Sequence, residues 1–210
     1  MPRVTITGLF DNPRDAADAR RDLEAFGISQ NDIGLLAYGP EYTAGDADRD
    51  ADSSDAASGA GTGAGIGTVL GGGAGLLTGL GVMAIPGVGP IVAAGWLAAT
   101  LAGAAAGAMA GGAAGGLIGA MTDSGVDEES AHVYAEGVRR GGTLLTVQVE
   151  QDQAAQVEEI LLENGVVDAA ARGEAYRSAG WTRYDPAAPA YTPEQIARER
   201  DLYGRRDTRV

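Results

Sequence analysis

In this 210-residue chain, Glu129 and His132 form a pair whose residue types and spacing could support chemistry. An i, i+3 pair of this kind forms half of a di-iron carboxylate site, where two such motifs and further carboxylates converge. His132 is the single histidine, so the second half of the site is missing. We therefore assign the histidine to a surface or an interface and predict no catalytic residue around it.

An acidic run between Asp46 and Asp52 has an aspartate at every second position, as a calcium-binding loop does. Ala51 stands where such a loop needs its turn glycine, and Ala57 stands where it needs the bidentate glutamate. We interpret residues 41–58 as an acidic, solvated linker and predict no bound metal.

The glycine-rich stretch "GAGTGAGIGTVLGGGAGLLTG" at residues 59–79 invites a phosphate-binding interpretation. No G-x-G-x-x-G motif fits, because Ile66, Thr68 or Leu70 takes the position of the last glycine. All 15 basic residues are arginines, so there is no P-loop lysine, and the absence of cysteine excludes thiolate chemistry. The sequence predicts no cofactor, no enzymatic activity and no small-molecule ligand; an enzyme or ligand carrier that uses the sheet face is the third alternative.

Charge and the first residues limit the partners and the location. A net charge of −14 argues against nucleic acid, which is bound by clustered basic residues. The start "MPRVTITGLF" lacks the basic-then-apolar pattern of a signal peptide, so we expect the soluble parts to lie in the cytoplasm.

The elements that must position any site fall into two similar halves, residues 1–40 and 123–172. In the first half, "VTITGLF" predicts a strand, Asn12 and Gly27 bound a helix, and "DIGLLAY" predicts a second strand. In the second half, an amphipathic helix leads into the strand "TLLTVQVE", the helix "QAAQVEEILLENG" and a last short strand "VVDAAA". Together they predict an α+β fold, a ferredoxin-like βαββαβ sandwich with a long insertion in its middle loop.

The insertion has no charged residue from Ala56 to Thr122. A break at "IPGVGP" predicts a turn, formed by Pro86, Gly87, Gly89 and Pro90. We expect the turn to join helices at roughly 59–84 and 91–121, about 39 Å and about 46 Å long, into a helical hairpin over residues 59–122. Either helix is long enough to cross a ~30 Å hydrocarbon core.

Glycines recur at every fourth position in both predicted helices, which forms two glycine zippers where another backbone could lie close. The helix-packing positions are Gly59, Gly63, Gly67, Gly71, Gly75, Gly79, Gly95, Gly103, Gly107, Gly111, Gly115 and Gly119. Grooves of this kind are favoured in membranes, so the first interpretation is a membrane-inserted hairpin that pairs within and between copies. The alternatives are the buried core of a soluble assembly, since no arginine flanks either span, and a flexible linker.

The C-terminal arm, residues 173–210, is rich in aromatic side chains and contains proline. Thr192 and Gln195 form a capping box for a short final helix that ends at Gly204. We expect the arm to wrap its own domain or a neighbouring copy; the alternative is a partly disordered tail. The residues expected to make its contacts are Tyr176, Trp181, Tyr184 and Tyr191.

Three strings resemble one bacterial family: "ITGLFDNPRDAADARRDLEAFGI", the Gly/Ala insert around "AIPGVGP", and "YAEGVRRGGTLLTVQV". Over residues 4–170 the chain is similar to the general stress and low-temperature-induced proteins. The resemblance implies a stress-associated, membrane-associated protein and implies no catalytic residue. We therefore expect a non-enzymatic homo-oligomer, anchored in the cytoplasmic membrane with its acidic domain in the cytoplasm; the alternative is a soluble, self-assembling scaffold in the cytoplasm.

Overall fold

The computed structural model of the chain describes residues 2–38, 80–85, 88–101 and 116–204. Residues 95–101 are helical, and single 3₁₀ turns precede β2 and α4. The strands and helices, in chain order, are β1 Arg3–Phe10, α1 Pro13–Phe26, β2 Ile33–Tyr38, β3 Leu80–Ile85, β4 Gly89–Ala94, α2 Gly116–Asp123, α3 Glu128–Arg139, β5 Thr143–Glu150, α4 Ala154–Glu163, α5 Ala169–Ser178 and α6 Pro193–Gly204.

The strands form one antiparallel sheet in the order β1-β5-β2-β4-β3. The second strand in this order, β5, pairs with β1 from Arg3↔Glu150 to Phe10↔Thr143 and with β2 on its other side. The predicted α+β class with an antiparallel sheet is confirmed. The two chain halves meet in this pairing, although a long insertion separates them in sequence.

Local sequence signals explain the helix ends. The side chain of Asn12 accepts a hydrogen bond from the N–H of Arg14, Pro13 is the first residue of α1, and Gly27 ends the helix with a left-handed φ of 106°. At α6 the predicted capping box is confirmed: the N–H of Gln195 donates to Thr192 Oγ1 at 3.3 Å, and the N–H of Thr192 donates to Gln195 Oε1 at 2.8 Å.

The predicted helical hairpin is wrong where the structure describes it. Residues 80–85 and 89–94 are the strands β3 and β4, paired from Leu80↔Ala94 to Ile85↔Gly89, and only residues 95–101 and α2 are helical. Short apolar runs rich in Val and Ile, on either side of a segment with proline and glycine, favour a β-hairpin, and β4 pairs with β2. Of the four predicted turn residues, Gly89 and Pro90 belong to β4, and Pro86 and Gly87 lie outside the described residues.

The last predicted strand, "VVDAAA", is also wrong. Only Val167 pairs with the sheet, through a single antiparallel bridge to Leu9. The side chain of Asp168 then accepts a hydrogen bond from the N–H of Ala171 and begins α5. An aspartate followed by three alanines is a strong helix start, and it outweighs the two valines before it.

Alternate residues of the strands build a core on each face of the sheet. Leu35 and Leu145 face α1 and α4, while Leu36 and Leu144 face the helical residues 95–101, α2 and α3. Both faces are therefore covered by helices. The helices α5 and α6 add a further group of contacts, because Tyr176 and Tyr203 cluster with Val133 on α3.

Candidate functional site

The Glu129–His132 pair does not act as one unit. Glu129 accepts a hydrogen bond from Arg177 at 2.8 Å, while His132 Nε2 lies 3.4 Å from Arg183 Nη2 and 3.9 Å from Glu128 Oε1. Among the described residues, no three His, Cys, Asp or Glu side chains come together as metal ligands would. The acidic run from Asp46 to Asp52 lies outside the part of the chain that the structure describes.

His132 lines an open cleft of about 380 Å³ between the start of the arm and α2. Because the arginine can only donate, His132 Nε2 is the acceptor in this contact and the ring proton sits on Nδ1, which is buried and has no partner among the described residues. Burial and the Arg183 guanidinium lower the pKa of His132, against the opposite effect of Glu128. The imidazole is therefore neutral at pH 7.

The most elaborate polar group of the structure lies at the C-terminal end of α3. Glu136 is fully buried, and its carboxylate accepts hydrogen bonds from Arg139 at 2.8 and 2.9 Å and from Arg140 Nε at 2.7 Å. Arg140 also donates to Glu199 of α6 at 3.0 Å. Burial would lower the pKa of Arg140, but the hydrogen bond and charge of Glu136 and the hydrogen bond to Glu199 raise it above its ordinary value. Arg140 therefore keeps its charge, and its two hydrogen bonds join α6 to α3.

A second buried ion pair lies beside the first. Arg172 of α5 donates two hydrogen bonds, each 2.6 Å, to the two carboxylate oxygens of Asp11 at the end of β1. The guanidinium carbon of Arg172 lies 4.0 Å from the centre of the Tyr203 ring, and that of Arg140 lies 4.2 Å from the centre of the Tyr176 ring. Bidentate pairing and stacking on aromatic rings are uses for which arginine, unlike lysine, is suited. We call Asp11, Glu136, Arg139, Arg140, Arg172 and Glu199 the ion cluster.

Aromatic residues complete this group. The Tyr176 ring has edge contacts with Trp181 and Tyr203, at centroid distances of 5.7 and 5.9 Å. Tyr184 is buried in the core beside α2 and α3, and burial raises its pKa to about 12. The carbonyl of Tyr191 accepts a hydrogen bond from the hydroxyl of Tyr38 at 2.9 Å. Of the four residues expected to make arm contacts, Tyr176, Tyr184 and Tyr191 thus contact the chain's own domain, and Trp181 packs on the cluster of Tyr176 and Val133.

The ion cluster borders a small pocket of about 10 Å³, lined among others by Asp11, Arg140, Arg172 and Tyr176. This volume is comparable to that needed by a single water molecule. Within the described ranges, the two buried charged residues, Glu136 and Arg172 with 0% and 8% exposure, have partners in the chain itself. The arrangement can hold three segments together.

Two of the predicted helix-packing glycines can be placed. Gly95 has a left-handed φ of 70°, and a Cβ there would overlap the carbonyl of Ile33, so this position serves close backbone contact inside the domain. Gly119 lies in α2 with no heavy atom within 4 Å of where its Cβ would be. The others lie outside the described residues, namely Gly59, Gly63, Gly67, Gly71, Gly75, Gly79, Gly103, Gly107, Gly111 and Gly115.

The ends of the second glycine series are attached to the domain. Leu97 and Leu101 near its start, and Leu117 and Met121 near its end, are buried in the same core as Leu36 of β2. In the stretches 2–38, 80–85, 88–101 and 116–204, no helix combines the length and the apolar character that crossing a bilayer requires.

The sequence interpretation assigned no role to Glu136, Arg139 and Arg140, although all three lie in the string "YAEGVRRGG". Their spacing of i, i+3 and i, i+4 places them on one face of a helix, and this was the available signal. The partners from distant segments, Asp11 and Glu199, have no such signal, because only the fold brings them near.

No protein-family model matches the sequence, and neither the curated proteins nor the solved structures yield a match.

Proposed function

We propose that the chain is a non-enzymatic structural protein that acts by self-association, through an uncharged surface on an otherwise acidic domain. The observation that carries the proposal is that β3, taken from the uncharged insertion, is the last strand of the sheet among the described residues. Like-charged surfaces repel one another, so copies with a net charge of −14 would meet at the part of the chain that carries no charge.

The packing of the insertion supports a soluble assembly more than a membrane hairpin. Strands β3 and β4 extend the sheet, and the helical residues 95–101 and α2 lie in the core beside α3. A spanning hairpin would need residues 80–84 and 91–94 as parts of its helices, but these residues have backbone pairing within the sheet. The glycine series would then pack between protein chains.

The polar residues of the candidate site support a structural role. The charged contacts of Glu136, Arg140 and Arg172 attach α5 and α6 to the domain. The pocket among them is the size of a water molecule. The His132 cleft offers one neutral imidazole beside one arginine, with the acidic Glu128 close to the ring. We assign the ion cluster to the stability of the arm.

We further infer that the domain is a modified ferredoxin-like sandwich from the stress-protein family named above. The order β1-β5-β2, extended at β1 by Val167, follows the 4-1-3-2 order of that fold with its fourth strand reduced to one bridge, and α1 and α4 lie on one face. The association with stress rests on the sequence resemblance alone, and we propose it as such.

A second candidate function, membrane anchoring, is favoured by one observation. The uncharged residues 56–79 lie outside the described ranges and would measure about 36 Å as a helix, enough for a ~30 Å hydrocarbon core. In this form the lipid bilayer is the partner, and the acidic domain stays in the cytoplasm.

Two measurements on the full chain test these proposals. For the soluble assembly, sedimentation velocity in detergent-free buffer should give a species larger than the 21.1 kDa monomer, and the protein should leave membranes in an alkaline carbonate wash. Retention in the washed pellet with release only by detergent would favour the anchor. A carbonate-extracted monomer at every concentration would contradict both proposals.

A further inference from the structure

Within its own sequence and register, strand β3 has none of the features that protect a sheet edge from further pairing. Its sequence, "LGVMAI", contains no proline and no charged residue, and its register with β4 runs without a bulge from Leu80 to Ile85. At the opposite edge, Pro2 precedes β1, the strand begins with the charged Arg3, and Val167 covers part of its outer side. Among the described residues, the β1 edge is therefore blunted, and no strand lies beyond β3 at the other edge.

The outward direction of the β1 backbone is fixed by a hydrogen bond. The N–H of Val167 donates to the carbonyl of Leu9 at 2.8 Å, on the side of β1 that faces away from β5. Successive residues of an antiparallel strand direct their N–H and C=O groups to alternate sides. Starting from Leu9, the direction of the backbone N–H and C=O groups can therefore be assigned strand by strand across the sheet.

The assignment runs through the registers of four strands. Leu9 lies opposite Leu144. Because the backbone N–H and C=O of Leu9 point away from β5, those of Leu144 point away from β1, toward β2, where they exchange hydrogen bonds with Leu36. Leu36 lies opposite Ala93, which therefore faces β3 and exchanges hydrogen bonds with Gly81. The residues on either side of Gly81 accordingly direct their backbone groups outward.

The outward-facing residues of β3 are Leu80, Val82 and Ala84. Pro90 provides an independent check, because it lies opposite Ala84 and has no N–H to donate. A pair whose members face away from each other needs no such donor, so the proline fits the assigned direction.

We propose that a second copy of this chain pairs with β3 along its outer edge, antiparallel and about a two-fold axis at Val82. This inference rests on the proposed self-association and names its surface. With Val82 opposite its own equivalent, Leu80 of each copy lies opposite Ala84 of the other, so all three outward residues exchange hydrogen bonds. A shift by one residue would set outward-facing groups against inward-facing ones, and a shift by two would leave one outward residue of each copy without a partner.

Charge selects a second copy as the occupant. The sequence around the strand is uncharged from Ala56 to Thr122, so two copies can meet here without like-charge repulsion, whereas contact elsewhere would bring acidic surfaces together. A two-fold contact between identical strands is self-complementary and closes at the dimer.

The first test removes an outward donor and leaves the internal ladder intact. Val82→Pro deletes an N–H that points away from β4, so we expect the dimer dissociation constant to rise at least about tenfold, with an unchanged circular dichroism spectrum. The matched control, Val82→Thr, keeps both the N–H and the β-branched side chain and should dimerise as wild type does. A folded Val82→Pro protein that dimerises as tightly as wild type would overturn the inference.

A second measurement does not depend on the folding of the proline variant. The chain contains no cysteine, so Val82→Cys accepts a single spin label, and equivalent positions on paired strands lie roughly 5.5 Å apart at Cα. We expect dipolar broadening that disappears on dilution with unlabelled chain, and none for a label at the exposed Glu158 of α4. Self-association without broadening at residue 82 would overturn the inference and leave the proposed function standing, whereas a monomeric wild type would overturn both.

Discussion

The C-terminal end of α3 and the β3–β4 hairpin both attach an outlying segment to the central sheet, but they use opposite kinds of contact. At α3, Glu136, Arg140 and Glu199 hold the arm through short, directed, charged hydrogen bonds. At the hairpin, backbone pairing and apolar side chains such as Ile91 and Leu97 do the same work without any charge.

The difference concerns what each contact specifies. A buried carboxylate accepts only donors placed at defined positions, so the ion cluster admits one arrangement of α3, α5 and α6. Apolar packing and an open strand edge stabilise without choosing a partner so narrowly. We therefore assign internal architecture to the charged region and association between copies to the uncharged one.

Removal of the central carboxylate should have the largest effect. Glu136→Ala leaves the largely covered Arg139 without its carboxylate partner and Arg140 with Glu199 alone, so we expect a loss of about 4 kcal/mol in the free energy of unfolding. Chemical denaturation followed by circular dichroism measures it.

Glu129→Ala is the matched control for this prediction. It removes another α3 glutamate that pairs with an arginine, but this pair is exposed to solvent and should contribute less than about 1 kcal/mol. Equal losses in the two variants would mean that burial of the ion cluster gives it no special weight.

In the uncharged region, shortening a core side chain should lower the free energy of unfolding slightly less than the loss of Glu136 does. Leu97 is fully buried between the sheet and the helices, and Leu97→Ala should lower the free energy of unfolding by about 3 kcal/mol through lost burial and the cavity left behind. Leu97→Met keeps the volume and should cost less than about 1.5 kcal/mol. If Leu97→Ala is tolerated as well as Leu97→Met, residues 95–101 do not belong to the core.

The two regions also differ in how far the sequence predicts them. Helix-capping residues identified α1 and α6, because Asn12, Gly27 and the pair Thr192–Gln195 have side-chain or backbone requirements that few positions satisfy. In the insertion, the glycine repeat outweighed the short Val/Ile runs of β3 and β4. Glycine spacing alone cannot distinguish a helix from a strand, and the pairing with β2 that decides the matter is not local.

The candidate site divides in the same way. The i, i+3 and i, i+4 spacing from Glu136 to Arg140 could be found on a helical projection of the sequence. The pair of Asp11 with Arg172, and the contact of Arg140 with Glu199, join segments far apart in the chain. Only the antiparallel β1–β5 pairing and the route of the arm bring them together, so no periodicity could have indicated them.

One substitution in the uncharged region should raise the free energy of unfolding, not lower it. Gly119 lies in α2 with open space where a Cβ would be, so Gly119→Ala should raise the free energy of unfolding of the monomer by up to about 1 kcal/mol. Gly137→Ala in α3 should gain nothing or lose stability, because its Cβ would overlap the side chain of Leu9. Thermal unfolding of both variants measures the contrast, and stabilisation by Gly137→Ala would contradict it.

The smallest effect concerns pH and the single histidine. Burial and Arg183 lower the pKa of His132, and among its charged neighbours Glu128 acts in the opposite direction while Asp185 lines the same cleft. A lowered pKa in the folded state means that the unfolded chain binds the proton more readily. The contribution of the neutral His132 to the free energy of unfolding is therefore complete above pH 6.5, the ordinary pKa, and is lost as the pH falls below it.

We therefore compare the free energy of unfolding of wild type and His132→Gln on both sides of pH 6.5. Wild type should lose more stability on acidification than the variant, by no more than the ~1.4 kcal/mol per pH unit that one proton can supply. The surface carboxylates are common to both proteins, so their contribution cancels in the comparison. Identical pH profiles would show that the imidazole is as well solvated in the folded chain as in the unfolded one, and that the cleft beside the arm does not shield it.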